Sequence, residues 1–104
     1  MKTFNILLVA SAALLAAGAQ AATGEEIMTK SGCMACHKVD AKLVGPALQD
    51  IGKKYKGQDV VAKLMAKVRS GGAGVYGPIP MAPNPVEKIS DADLKTAVQW
   101  VLSL

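Results

Sequence analysis

The chain has 104 residues, 51% of them hydrophobic and 4% aromatic, with 12 Lys and Arg against 8 Asp and Glu and a formal net charge of +4. That length holds one small domain, and a mild excess of lysines scattered among acids gives nucleic-acid binding no support. Two cysteines and one histidine exclude a multi-disulfide framework and a zinc site built from four Cys or His ligands.

Lys2 precedes an uncharged apolar run from Ile6 to Ala17, and Ala19-Gln20-Ala21 has the small-residue pattern of a signal peptidase site. Residues 1–21 therefore read as a secretory signal peptide and 22–104 as the domain. The run is too short to span a bilayer comfortably, so no stable membrane insertion is expected after cleavage. A bacterial-style leader points to the periplasm. What remains carries eleven basic and eight acidic residues, about +3. Roughly eighty residues is a size at which an apolar core alone gives only a few kcal/mol, so such a domain needs a staple.

Thr23-Gly24-Glu25-Glu26 fits a capping box, which predicts a first helix over 24–32 with Ile27 and Met28 facing inward. That helix delivers the chain into Cys33-Met34-Ala35-Cys36-His37. Two cysteines three apart followed at once by histidine are the pattern that attaches a c-type haem. Each thiol adds across one vinyl group of the porphyrin, and His37 is placed to ligate the iron. A redox-active dithiol would need a preceding strand and a βαβ pattern, which the chain lacks. A plain disulfide would leave His37 unexplained. Covalent haem also supplies the missing staple, and its bulk fits the low aromatic content.

A polar loop from Lys38 to Val44 ends in Gly45-Pro46, and a short helix is expected over 47–54 with Leu48 and Ile51 inward. Two readings are open for Pro46. It marks a helix start, or its carbonyl accepts the second ring N–H of His37 and fixes the imidazole. Two are open as well for Lys38, Lys42, Lys53, Lys54 and Lys56: a rim that steers an acidic partner, or a solvated surface. From Asp59 to Ser70, Val60, Val61, Leu64, Met65 and Val68 recur at helical spacing, with Lys63 and Lys67 outside and Gly71-Gly72 as the stop. A last helix starts at Ser90, with Asp93 at the third position, Leu94, Ala97, Val98, Val101 and Leu102 inward and Trp100 at the edge. No alternating strand pattern and no internal repeat is visible, so the fold class is all-α.

Between these helices the segment 71–89 is long for a small domain, which marks it as functional. Pro78, Pro80, Pro83 and Pro85 stiffen its centre, and Met81 stands in the middle of that strap. A thioether presented on a rigid segment suits the sixth coordination position of a haem, trans to His37, where it raises the reduction potential. Met1 leaves with the leader, Met34 lies inside the attachment motif, and Met28 and Met65 have core positions on helices. Met81 remains.

Taken together, Cys33-Met34-Ala35-Cys36-His37, Val44-Gly45-Pro46, the run Gly74 to Asn84 and the terminal Trp100-Val101-Leu102-Ser103 resemble the small bacterial class I c-type cytochromes of the cytochrome c-551 type. The resemblance covers the whole domain. It implies a compact fold of four to five helices around one covalently bound haem c, thioethers from Cys33 and Cys36, and iron held by His37 and Met81. It further implies that the Pro46 carbonyl receives the His37 ring N–H and that Asn84 hydrogen-bonds near the Met81 sulfur. Tyr76 stands where such proteins often carry tryptophan. If that position donates to a haem propionate, a phenol O–H takes the place of the indole N–H. Lys67 and Arg69 are weaker propionate candidates, each expected as a solvated surface cation.

The function expected is that of a monomeric periplasmic electron carrier, not an enzyme. It cycles one iron between Fe(II) and Fe(III) and passes an electron between two redox proteins, such as a membrane cytochrome complex, a terminal oxidase or a nitrite reductase. Weak redox encounters of this kind use small interfaces. The rival from another class is a five-coordinate haem enzyme or gas sensor of peroxidase type. It needs an open iron and usually a distal acid or base, and the only histidine is already used. A second rival, a disulfide-only domain, would have no visible absorption.

Overall fold

The computed structural model describes residues 21–104, so the expected signal peptide, all but its last residue, lies outside the described residues. The elements run α1 (Gly24–Lys30), a single 3₁₀ turn (Cys33–Ala35), α2 (Leu48–Lys54), α3 (Val61–Ser70), β1 (Gly72–Gly74), β2 (Gly77–Met81) and α4 (Asp91–Leu102). The fold is mostly helical, with one two-stranded antiparallel sheet.

Two of the helix starts follow the capping logic of the sequence. Thr23 accepts a hydrogen bond from the N–H of Glu26, and Ser90 accepts one from Asp93, both at 3.2 Å. Acidic residues fill the first turn of each helix, Glu25 and Glu26 in α1 and Asp91 and Asp93 in α4, where they meet the positive end of the helix dipole. The two middle helices begin later than the periodicity suggests. Ala47 caps α2 and Val60 caps α3, neither with a side-chain bond, so no polar group marks the start. Pro46 consequently precedes the helix instead of opening it.

α4 is the central element and packs against α1, α2 and α3. Its Leu94, Ala97, Val98 and Val101 join Ile27 and Met28 of α1, Leu48 of α2 and Ile89 in one buried cluster, with Met65 and Trp100 partly buried against it. The α1–α4 crossing is close because Gly24 has no side chain: a Cβ there would overlap the Cβ of Trp100. Met28 holds the core position expected of it, Met65 only packs half-buried against the core, and Trp100 stands at the edge.

The segment 71–89 departs from the expected loop in one respect. Its first part is a hairpin that pairs Gly72 with Met81 and Gly74 with Gly77, with an irregular register between. Nothing in the sequence announces it. One strand is Gly-Ala-Gly, the other holds two prolines that donate no ladder bond, and neither buries an alternating face. The hairpin leaves the chain mostly helical and sets Met81 at the end of a paired strand.

Candidate functional site

Gly32, in the left-handed region at φ 80°, turns the chain out of α1 into the 3₁₀ turn. The N–H groups of Cys36 and His37 both donate to the carbonyl of Cys33, at 3.2 and 3.1 Å. This winding puts the two thiols on one side of a single turn, the arrangement a three-residue spacing produces. Both thiols are free, Cys33 partly buried and Cys36 exposed. Burial pushes the Cys33 thiol above its ordinary pKa, while the Lys88 cation opposes the shift.

His37 is 8% exposed. Its Nδ1–H donates to the carbonyl of Pro46 at 2.8 Å, and because a carbonyl only accepts, the proton belongs on Nδ1 and the lone pair on Nε2. The 38–46 loop is tied down on both sides of that bond. Gly45 N–H donates to Cys36 O at 2.8 Å, and Leu48 and Gln49 donate to Lys38 and Val39 at 2.9 and 3.0 Å. Gly45 lies against the imidazole face, where a Cβ would stand 2.5 Å from Cε1. The imidazole is therefore oriented by one hydrogen bond and flanked by a residue without a side chain.

Met81, half-buried at the end of β2, lies beside the C-terminal end of α3. Gly71 closes α3 at φ 65° and permits that approach, since a Cβ would run into the Met81 carbonyl and the backbone of Ala82 and Pro83. Asn84, 5% exposed, ties the strap to α3. Its backbone N–H donates to Val68 O at 3.1 Å, and its side-chain amide donates to Val68 O at 3.3 Å and Ala82 O at 3.0 Å. The amide hydrogens of Asn84 thus go to two backbone carbonyls and lock the strap three residues beyond Met81.

Tyr76 sits at the tip of the hairpin, 43% exposed. Lys54 places its Nζ 5.7 Å from that ring and 5.8 Å from the ring of Tyr55, a cation shared by two aromatic faces. Desolvation pushes the Tyr76 phenol above its ordinary pKa, and Tyr55 and Asp50 add to the shift.

One expectation is corrected. Arg69 is not a solvated cation: its guanidinium donates to the carbonyls of Asn84 and Ile89 and pairs with Asp91. Sequence reasoning gave no role to Gly45, quoted only within Val44-Gly45-Pro46, and missed the part Lys54 plays between two tyrosines, which no local pattern announces.

The donor set fits a haem. One imidazole has its lone pair on Nε2, a thioether stands on a locked strap, and two free thiols lie on one turn. Large apolar side chains stay uncovered on the two segments that flank these donors, Leu43 and Val44 near His37 and Val75 and Ile79 near Met81, with exposures of 44 to 60%. A porphyrin laid between the segments would cover such surface.

The model of the family described as cytochrome c matches residues 21–104. The chain belongs to the cytochrome c family. It is similar to cytochrome c-551 of Pseudomonas aeruginosa, 45% identical over 105 residues that cover 99% of this chain and 98% of the relative. It is also similar to cytochrome c2 of Rubrivivax gelatinosus, 51% identical over 82 residues, 78% of this chain and 96% of the relative. Among solved structures, wild-type cytochrome c552 of Nitrosomonas europaea matches with a TM-score of 0.72 and 44% identity, covering 77% of this chain and 98% of that one. The cofactor of this cytochrome c is accordingly haem c, carried on the single CxxCH motif at Cys33 and Cys36. No helix among the described residues is long and apolar enough to cross a membrane.

Proposed function

We propose that this cytochrome c is a periplasmic one-electron carrier in which His37 and Met81 are the two axial ligands of the haem iron. The observation that supports this most directly is the state of His37. Its Nδ1–H is committed to Pro46 O at 2.8 Å, which leaves the Nε2 lone pair for the iron, and an imidazole spent on that bond, the only one in the sequence, leaves none for a distal acid or base.

The haem, when bound, supplies the Fe(II)/Fe(III) couple. The protein's own residues do the rest. Pro46 and Gly45 hold the imidazole plane, Cys33 and Cys36 hold the ring edge, and the Asn84 lock with the Gly71 contact holds the thioether strap. Two protein ligands on fixed segments leave little to rearrange between oxidation states, and they close the iron to small molecules. A soft sulfur on one side raises the potential. Leu43, Val44, Val75 and Ile79 keep water from the site once a porphyrin covers them. Redox protein donors and acceptors are the partners of such a carrier, met through small interfaces. The periplasmic assignment rests on the leader-like residues 1–21.

A redox titration of the holoprotein followed in the visible spectrum tests the reading. A reversible one-electron transition is expected, with the reduced form inert to carbon monoxide. Rapid carbon monoxide binding or turnover of peroxide would place the protein among the open-site haem proteins instead.

A further inference from the structure

Arg69, in the last turn of α3, is a half-buried cation whose hydrogen bonds all go to other parts of the chain. Its Nη1 donates to Asn84 O at 3.1 Å and to Ile89 O at 2.7 Å, and its Nη2 donates to Asp91 Oδ1 at 2.6 Å. Three parts of the chain meet on this planar fork: the strap three residues past Met81, the residue before the α4 cap, and the first turn of α4.

We infer that Arg69 is a positioning residue that holds the Met81 strap between α3 and α4 and thereby limits how readily the thioether leaves the iron. The inference rests on the reading of Met81 as axial ligand. Asn84 transmits the restraint because it is tied on several sides: backbone and side-chain N–H groups donate to Val68 O and Ala82 O, and its backbone carbonyl accepts from Arg69. Pro83 and Pro85 flank Asn84 and fix φ on both sides, so a shift at Asn84 reaches Met81 with little lost to bending. On the far side Gly71 keeps the Met81 backbone directly against α3. A strap anchored at both ends and stiff between them leaves the thioether only its own side-chain rotations, and larger excursions need an anchor to break.

The three bonds are not equal. Asp91 is 79% exposed on its side chain and Arg69 22%, so the ion pair itself is screened and weak. Ile89 and Asn84, 4% and 5% exposed, would each lose the donor to a carbonyl in dry surroundings. Lysine cannot replace the fork, since one ammonium does not span acceptors that a planar guanidinium meets together.

The test compares holoprotein variants by two readouts that a purely structural role would not separate. One is the rate of carbon monoxide association with the reduced form. The other is the temperature at which the oxidised form loses its far-red sulfur-to-iron band, set against the temperature at which helical ellipticity is lost. Arg69→Met is expected to raise the carbon monoxide rate about tenfold, equivalent to ~1.4 kcal/mol, and to lose the band well before the helices. Arg69→Lys is expected to raise the rate about threefold, which keeps the test decisive if the methionine variant loads haem poorly. Asp91→Asn should stay close to the parent. Parent-like rates in both Arg69 variants, with band and helices lost together, would overturn the inference while leaving Met81 as ligand. A parent protein that lacks the band and binds carbon monoxide at once would overturn the reading of Met81 and this inference with it.

Discussion

Gly45 lies flat against the ring of His37, so near that a Cβ at position 45 would stand 2.5 Å from Cε1, 2.9 Å from Nδ1 and 3.0 Å from Nε2. The same ring donates to the carbonyl of the next residue, Pro46. A two-residue segment therefore sets both the height and the tilt of the imidazole, and no larger residue fits at its first position.

Gly45→Ala should push the ring off its Pro46 bond or push the 38–46 loop away from Cys36, whose carbonyl Gly45 N–H holds at 2.8 Å. Overpacking of this kind costs about 1–3 kcal/mol. Thermal unfolding of the holoprotein checks it, with a lowered transition expected and a shifted midpoint potential accompanying it; an unchanged transition and potential would mean that the loop yields freely.

Tyr76 predicts an alkaline limit to stability. Its phenol pKa is raised in the folded state, so the folded form binds that proton more tightly than the unfolded chain does. The contribution is complete below the ordinary tyrosine pKa and is lost as pH rises through the higher folded value. Denaturant unfolding of the parent should weaken from about pH 10 upward more steeply than that of Tyr76→Phe. Parallel curves for the two proteins would show that the hairpin tip does not titrate with folding.

Cys36→Ser removes one of the two thioether anchors. In a domain of this size the haem is the staple that completes a small core. Poor haem loading and a markedly lowered thermal transition are expected. A fully loaded variant with the parent's transition would show that Cys33 and the axial ligands suffice.

Met81→Ala should open the iron. On the proposed ligation, loss of the soft thioether is expected to lower the midpoint potential, within the ~0.8 V that axial ligation spans in haem proteins. Carbon monoxide uptake by the reduced variant should become fast. Potentiometry reads the first effect and stopped-flow absorbance the second.

What the sequence made legible was whatever depends on neighbours in the chain. The caps at Thr23 and Ser90, the inward faces of α1 and α4, and the attachment turn at Cys33 to His37 are all local patterns, and each lies where the pattern places it. The hairpin was hidden because its strands are glycine and proline, stabilised by backbone pairing and not by side-chain alternation. Arg69 was misjudged for a related reason. On the helix it occupies an outward position, and only the fold brings Asn84, Ile89 and Asp91, fifteen to twenty-two residues away, onto its guanidinium. Gly45 was read as part of the Val44-Gly45-Pro46 motif but given no role of its own, since steric contact with an imidazole eight residues earlier leaves no periodic trace.

Whether the Met81 thioether and the His37 imidazole together hold the haem iron, as proposed, is read from the far-red absorption of the oxidised holoprotein at neutral pH. The weak sulfur-to-iron band is expected in the parent and should disappear in Met81→Ala. An oxidised parent without that band, or a band that survives in Met81→Ala, would contradict that ligation.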